Sequence, residues 1–171
     1  MINFLNSLGY RASGCGLGRN LGPTRFKPDH LQDKLQSIVD EGMEKVSVIG
    51  HSLGGIYARE MARAEPGLIR QVITLGSPFA KGRDTATHAN GIFRLLNPTT
   101  DTDPDLKAWQ QDMHEAPPVP TTSIFTRGDG VVNWRTSIQQ DGHEQTQDIK
   151  VFGSHVGLTL NPAVWFLLAD R

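Results

Sequence analysis

"VSVIGHSLGGIYARE", residues 46–60, is the stretch from which the rest of the chain can be read. It begins in the β-branched apolar run Lys45–Gly50, short enough for a buried parallel strand. It ends in a helical pattern over 53–65 that stops at Pro66-Gly67. Between them stands Gly50-His51-Ser52-Leu53-Gly54, a Gly-x-Ser-x-Gly frame. A turn this tight from strand to helix forces its apex into a strained backbone and lifts the apical hydroxyl clear of the sheet. Gly50, Gly54, Gly55 and Ala58 are expected to keep the helix thin where it packs against the sheet. Ser52 is therefore the candidate nucleophile. The competing reading is a glycine-rich turn that happens to contain a serine.

The same rhythm continues on both sides. Further short apolar runs at 10–16, 71–77, 121–128 and 148–153 predict strands. Amphipathic or apolar segments at 2–8, 28–42 and 161–171 predict helices, with Pro28 and Pro162 suited to a first turn. The expected architecture is α/β, a three-layer α/β/α sandwich around a mainly parallel sheet of about five strands, in one domain over 1–171. Residues 79–119 break the pattern: they are polar and turn-rich, with scattered bulky groups, and end in "APPVP". So long an excursion between core strands is read as a cap or lid, or equally as a surface excursion carrying one or two helices.

A serine hydroxyl needs a general base, and the base needs a carboxylate to orient it. In a parallel sheet those partners should follow the carboxyl ends of later strands. Asp129 follows the run 121–128 in "TRGDGVVNW", and His155 follows 148–153 in "VFGSHVGL". The order Ser52, Asp129, His155 is that of a nucleophile elbow. His51 adjoins Ser52, cannot turn back to take its proton, and is expected to line the pocket. His30, His88, His114, His143, Asp141 and Asp148 lack the strand-end placement. Alone, Asp129 would be an ordinary turn residue and His155 a loop histidine.

Composition narrows the class. The 171 residues carry a net charge of −1 with no basic cluster, which excludes nucleic acid as a partner. No apolar run approaches the roughly 18–20 residues of a membrane span, and the start "MINFLNSLGYR" lacks a secretory leader, so no stable membrane insertion and a cytoplasmic location are expected. Cys15 is the only cysteine; it forms no intrachain disulfide and is expected to be a buried, inert thiol. Asp84 with His88 makes no closed metal shell, and "GCGLGR" has Arg19 where a dinucleotide fingerprint needs glycine. No cofactor is expected.

Taken together, "VSVIGHSLGG", "VITLGSPF", "TRGDGVVNW" and "GSHVGL" resemble the α/β-hydrolase superfamily, specifically the bacterial lipases and esterases. The resemblance implies a shortened α/β-hydrolase fold and a small-molecule acyl ester as substrate. It implies Ser52 as nucleophile, His155 as base and then acid, and Asp129 as the orienting carboxylate. The chain departs from the family at its start, where it opens inside the helix that normally follows an oxyanion-donating loop. Leu53 N–H would supply one oxyanion donor, and an amide near Gly16, Leu17 or Gly18 is expected to replace the other. For this, 10–16 would pair directly with 45–50 through the 28–42 helix. The alternative is a homodimer through the exposed N-terminal sheet edge, whose second copy fills the gap. Apolar groups in 79–119 with Trp134 would bind the acyl chain. The same triad also serves thioesterases and acyltransferases, and a shortened, impaired relative could act as a binding module.

Overall fold

The computed structural model describes residues 1–16, 28–42, 45–80, 114–140 and 144–171, with 28–32 by backbone course alone. The elements in chain order are α1 (Ile2–Ser7), α2 (Pro28–Asp40), β1 (Val46–His51), α3 (Leu53–Ala64), β2 (Ile69–Leu75), β3 (Thr121–Phe125), β4 (Thr146–Lys150) and α4 (Pro162–Ala169). Short 3₁₀ turns occupy Trp134–Ser137 and Val156–Thr159.

β1, β2 and β3 are short apolar or threonine-rich runs, and β4 is a short polar run whose Ile149 packs against the core. They form a four-stranded sheet in the order β1-β2-β3-β4, parallel at every pairing. Parallel neighbours need crossovers. Helix α3 makes the first, packing on β1 and β2. Side chains alternate across the pleat, with a register shift at Arg70 opposite Val46–Ser47 that carries Ile69 to the face of Val72, so β2 serves two cores. Ile73 and Leu75 join Leu5, Ile124, Leu158, Val164 and Leu168 beneath α1 and α4. Ile69 and Val72 join Leu35, Ala58, Ala62 and Val119 beneath α2 and α3. This is the expected three-layer α/β sandwich. Among the described residues no helix is long and apolar enough to cross a membrane.

The sheet differs from expectation at its start. Residues 10–16 form no strand and do not pair with β1. The reason is local: the side chain of Asn6 captures both backbone groups of Ala12. Its Nδ2 donates to Ala12 O at 3.1 Å, and Ala12 N–H donates to Asn6 Oδ1 at 2.7 Å. A backbone unit held that way has no groups left for a ladder. Gly16 turns to φ 77°, further breaking extension. Tyr10 anchors the segment by donating to Ala169 O of α4 at 2.6 Å, and Phe4 packs edge-on to Phe166. Cys15, expected to be buried in a strand, is exposed.

The ends of the 79–119 excursion are fixed in the core: Phe79 and Val119 are both buried. Arg59 of α3 is 0% exposed, lies 3.9 Å from the Phe79 ring centroid, and donates to Glu115 O at 2.7 Å and Gln139 Oε1 at 2.9 Å. The remainder of the expected cap, 81–113, lies outside the described residues, as do Asp84, His88, Asp141 and His143.

Candidate active site

Ser52 joins β1 to α3 with φ 54° and ψ −125°, and it is the one non-glycine residue at positive φ among the described residues. Serine accepts such a conformation only where the surroundings enforce it, at a cost of order 1–3 kcal/mol. The enforcement can be traced. Ser52 N–H donates to Leu75 O at 2.9 Å, fixing the turn to β2. A Cβ on Gly50 would sit 2.5 Å from the Gly54 carbonyl carbon and from Gly55 Cα, and a Cβ on Gly55 would collide with the Ser77 side chain. Those two glycines let helix and strand close on each other. Gly54, expected to do the same, has nothing within 4 Å of its would-be Cβ. Its freedom is not needed for packing.

Asp129 and His155 come from the loops that follow β3 and β4. Those loops touch: a Cβ on Gly128 would be 2.5 Å from Gly153 O, and Thr126 Oγ1 donates to the same carbonyl at 3.0 Å. The contact places His155 Nδ1 2.7 Å from Asp129 Oδ2. The other carboxylate oxygen, Oδ1, accepts Val131 N–H at 2.9 Å and Val132 N–H at 2.7 Å. The carboxylate is therefore held on both oxygens, and its side chain is only 2% exposed. A proton on His155 Nδ1 donates to Asp129, leaving Nε2 with the lone pair that a general base needs. Gly76, at φ 56° beyond the end of β2, leaves the space that the pair occupies. A Cβ there would lie 3.1 Å from Asp129 Oδ2 and 3.3 Å from His155 Nδ1.

The other expected residues are placed as follows. Leu53 opens α3, so its N–H is among the first-turn donors that have no partner within the helix. Leu17 lies outside the described residues. Trp134 is half-buried, stacked on Phe125 at 5.7 Å between ring centroids, with the guanidinium groups of Arg127 and Arg135 at 4.8 and 4.5 Å. His51 bonds to protein: its Nε2 lies 3.0 Å from His155 O, and the two rings are 4.8 Å apart. Burial lowers its pKa below the ordinary 6.5; the bond to the His155 carbonyl opposes that, the nearby His155 ring adds to it, and Asp129 opposes it. Asp148 points elsewhere, its Oδ1 accepting Gln139 N–H at 3.2 Å.

Sequence reading missed Gly76 and the His51–His155 tie. The first lay inside the run 71–77 expected as strand, where a glycine near the end of an apolar run was its one visible signal; the second joins residues 104 positions apart.

Residues 30–158 match the protein family described as PGAP1-like alpha/beta domain. A triacylglycerol lipase of Pseudarthrobacter phenanthrenivorans is 31% identical over 85 residues, which is 50% of this chain and 26% of the lipase. The matched stretch thus spans about a quarter of that relative's length. Among solved structures, Paleococcus ferrophilus monoacylglycerol lipase is similar at a TM-score of 0.54 and 17% identity, covering 85% of this chain and 76% of that one. The thioesterase domain from the curacin biosynthetic pathway is similar at 0.56 and 13%, covering 86% and 73%. At such identities these structures show the fold alone, that of the α/β-hydrolases.

Proposed function

The chain belongs to the PGAP1-like alpha/beta domain family, a lipase/esterase-like α/β-hydrolase, and on that footing we propose that it cleaves carboxylic esters through an acyl-enzyme on Ser52. The observation that carries the reading is the left-handed backbone of Ser52, an enforced strain at the apex of the strand–helix turn. The paired Asp129 and His155 supply the rest.

In the proposed cycle, His155 Nε2 takes the Ser52 hydroxyl proton as Oγ attacks the ester carbonyl. Asp129 holds the imidazole in the required tautomer and stabilises the imidazolium that forms. The imidazolium then returns the proton to the leaving alkoxide, and the acyl group stays on Oγ. Water, deprotonated by the same Nε2, attacks the acyl-enzyme; the acyl–Oγ bond then breaks as the imidazolium returns its proton to Ser52 Oγ, which releases the acid and restores the enzyme. Leu53 N–H stabilises the developing oxyanion as one donor; the second donor expected near Gly16, Leu17 or Gly18 loses its premise, since 10–16 do not pair with β1. Trp134 and apolar groups of the 79–119 excursion are proposed to bind the acyl chain.

The test is the initial hydrolysis rate of p-nitrophenyl esters from acetate to palmitate, beside Ser52→Ala. Turnover that disappears in the variant supports the assignment, and turnover retained in it ends the assignment. No turnover from folded wild-type protein favours an impaired relative. Parallel assays on acyl thioesters and with alcohol acceptors separate hydrolysis of oxygen esters from thioester cleavage and acyl transfer.

A further inference from the structure

Resting on the triad reading above, we propose that His51 is a positioning residue of the reaction: its Nε2–H ties the base-bearing loop to the strand that carries the nucleophile.

The argument starts from connectivity. His51 is the last residue of β1 and is joined to Ser52 by one peptide bond, so its ring moves with the nucleophile. His155 arrives 104 residues later, on a loop after β4, which is an edge strand with mostly exposed side chains. The Asp129 bond fixes the His155 ring relative to the β3 loop, and Leu158 roots the loop that carries His155 in the core beside Leu75. The His51–His155 bond adds a direct tie to the residue that adjoins Ser52. A carbonyl can only accept, so Nε2 must carry the proton and donate. The other amide directed at this carbonyl, Leu158 N–H, is 3.4 Å away and has a closer acceptor in Ser154 O at 3.1 Å. His51 is therefore the principal donor to the base's own backbone.

The charge state fits this role. His155 becomes an imidazolium during catalysis, 4.8 Å from the His51 ring by centroids. A second cation at that distance would oppose protonation of the base. The charged or titratable groups acting on His51 are His155 and Asp129; burial is the largest influence and favours the neutral form, as the His155 ring does, against the opposing pull of the His155 carbonyl and Asp129. A neutral donor ties the loop without that repulsion. This reading replaces the pocket-lining role expected for His51, because its Nε2 is already committed to protein.

The experiment compares wild type with His51→Gln, which keeps an N–H at similar reach, and His51→Phe, which fills the space without a donor. Melting curves establish that each is folded; kcat and KM are read on p-nitrophenyl butyrate, and ring-nitrogen NMR reads the histidine tautomers. The expected result is a His51 signal with Nε2 protonated and Nδ1 bare near neutral pH. His51→Phe should lose about tenfold in kcat, since displacement of about 1 Å can cost some 10²-fold, with KM within twofold. His51→Gln should recover most of the loss. A His51 protonated on Nδ1, an unchanged kcat in His51→Phe, a loss confined to KM, or a His51→Gln as poor as His51→Phe would each overturn the proposal. Retained turnover in Ser52→Ala, by contrast, removes the triad reading and leaves the tie to be judged by NMR. Displaced His155 ring signals in His51→Phe then support it, and unmoved ones refute it.

Discussion

Gly76→Ala puts a single carbon into the space that the Asp129–His155 pair needs. The added Cβ would stand 2.9 Å from Leu158 Cδ1, 3.1 Å from Asp129 Oδ2 and 3.3 Å from His155 Nδ1. Carbon atoms pack at about 3.5–4.0 Å, so Leu158 must withdraw by roughly half an ångström or more. Leu158 is an aliphatic side chain and can give. Asp129 cannot give cheaply, because Val131 and Val132 N–H hold one oxygen and His155 the other. Backbone strain adds to the contact: φ at Gly76 is 56°, where a side chain costs about 1–2 kcal/mol. At about 2–4 °C per kcal/mol for a chain of this size, the melting temperature should fall by roughly 2–8 °C. Displacing the carboxylate by a few tenths of an ångström should also lower kcat about tenfold, scaled from the roughly 10² expected for 1 Å. Gly42→Ala is the control, since Gly42 has φ 90° and no atom within 4 Å of a would-be Cβ. It should lose a similar few degrees and none of the rate. Thermal melts and kcat on p-nitrophenyl butyrate, well below both transitions, give the comparison. A folded Gly76→Ala with kcat within twofold of wild type, or a Gly42→Ala that loses as much rate, would refute the reasoning.

Asp129→Asn should keep the fold and cut kcat by about 10⁴, because an amide can hold His155 in the wrong tautomer; near-normal single-turnover acylation would show that another acid serves. Acid should weaken the fold through His51. Its folded pKa is lowered, so as pH falls below about 6.5 the unfolded chain takes the proton first. The stability present above that pH is lost down to the folded value and is level below it. Denaturant titrations at stepped pH should show this loss in wild type and not in His51→Gln; equal slopes would contradict it. Arg59→Met should cost about 2–4 kcal/mol, since charge-assisted bonds to Glu115 O and Gln139 Oε1 and the stacking on Phe79 are lost together. Proteolysis near 114–119 should quicken; an unchanged cleavage rate would count against the anchor.

Legibility in the sequence followed the range of the forces involved. The turn at Ser52 was readable because a β-branched run, two close-packing glycines and a helix lie within a dozen residues. The positions of Asp129 and His155 were readable because a parallel sheet sends every strand's carboxyl end to one edge. Residues 10–16 misled for a reason that pattern cannot carry: one side chain, Asn6, satisfied the backbone of Ala12 before any strand could. Gly54 illustrates the opposite error, a motif glycine with open space around it. The His51 contact depends on the three-dimensional approach of distant loops, and no local signal encodes it.

The sheet lays its strands down in the same sequence as the chain, and that ordering gives the site a direction. The strand that delivers the proposed nucleophile stands at one margin of the sheet, the strand that delivers the acid in its interior, and the strand that delivers the base at the opposite margin, from which the following loop brings the His155 ring back to 4.8 Å from that of His51. Margins fray first, because a strand there has one neighbour and more water. Loosening of β4 would draw away Ile149 and the loop that carries His155 while β1, β2 and β3 remain paired. Loss of activity on heating or in mild denaturant should then run ahead of loss of secondary structure, and the proposed base would serve as an internal reporter of how complete the sheet is.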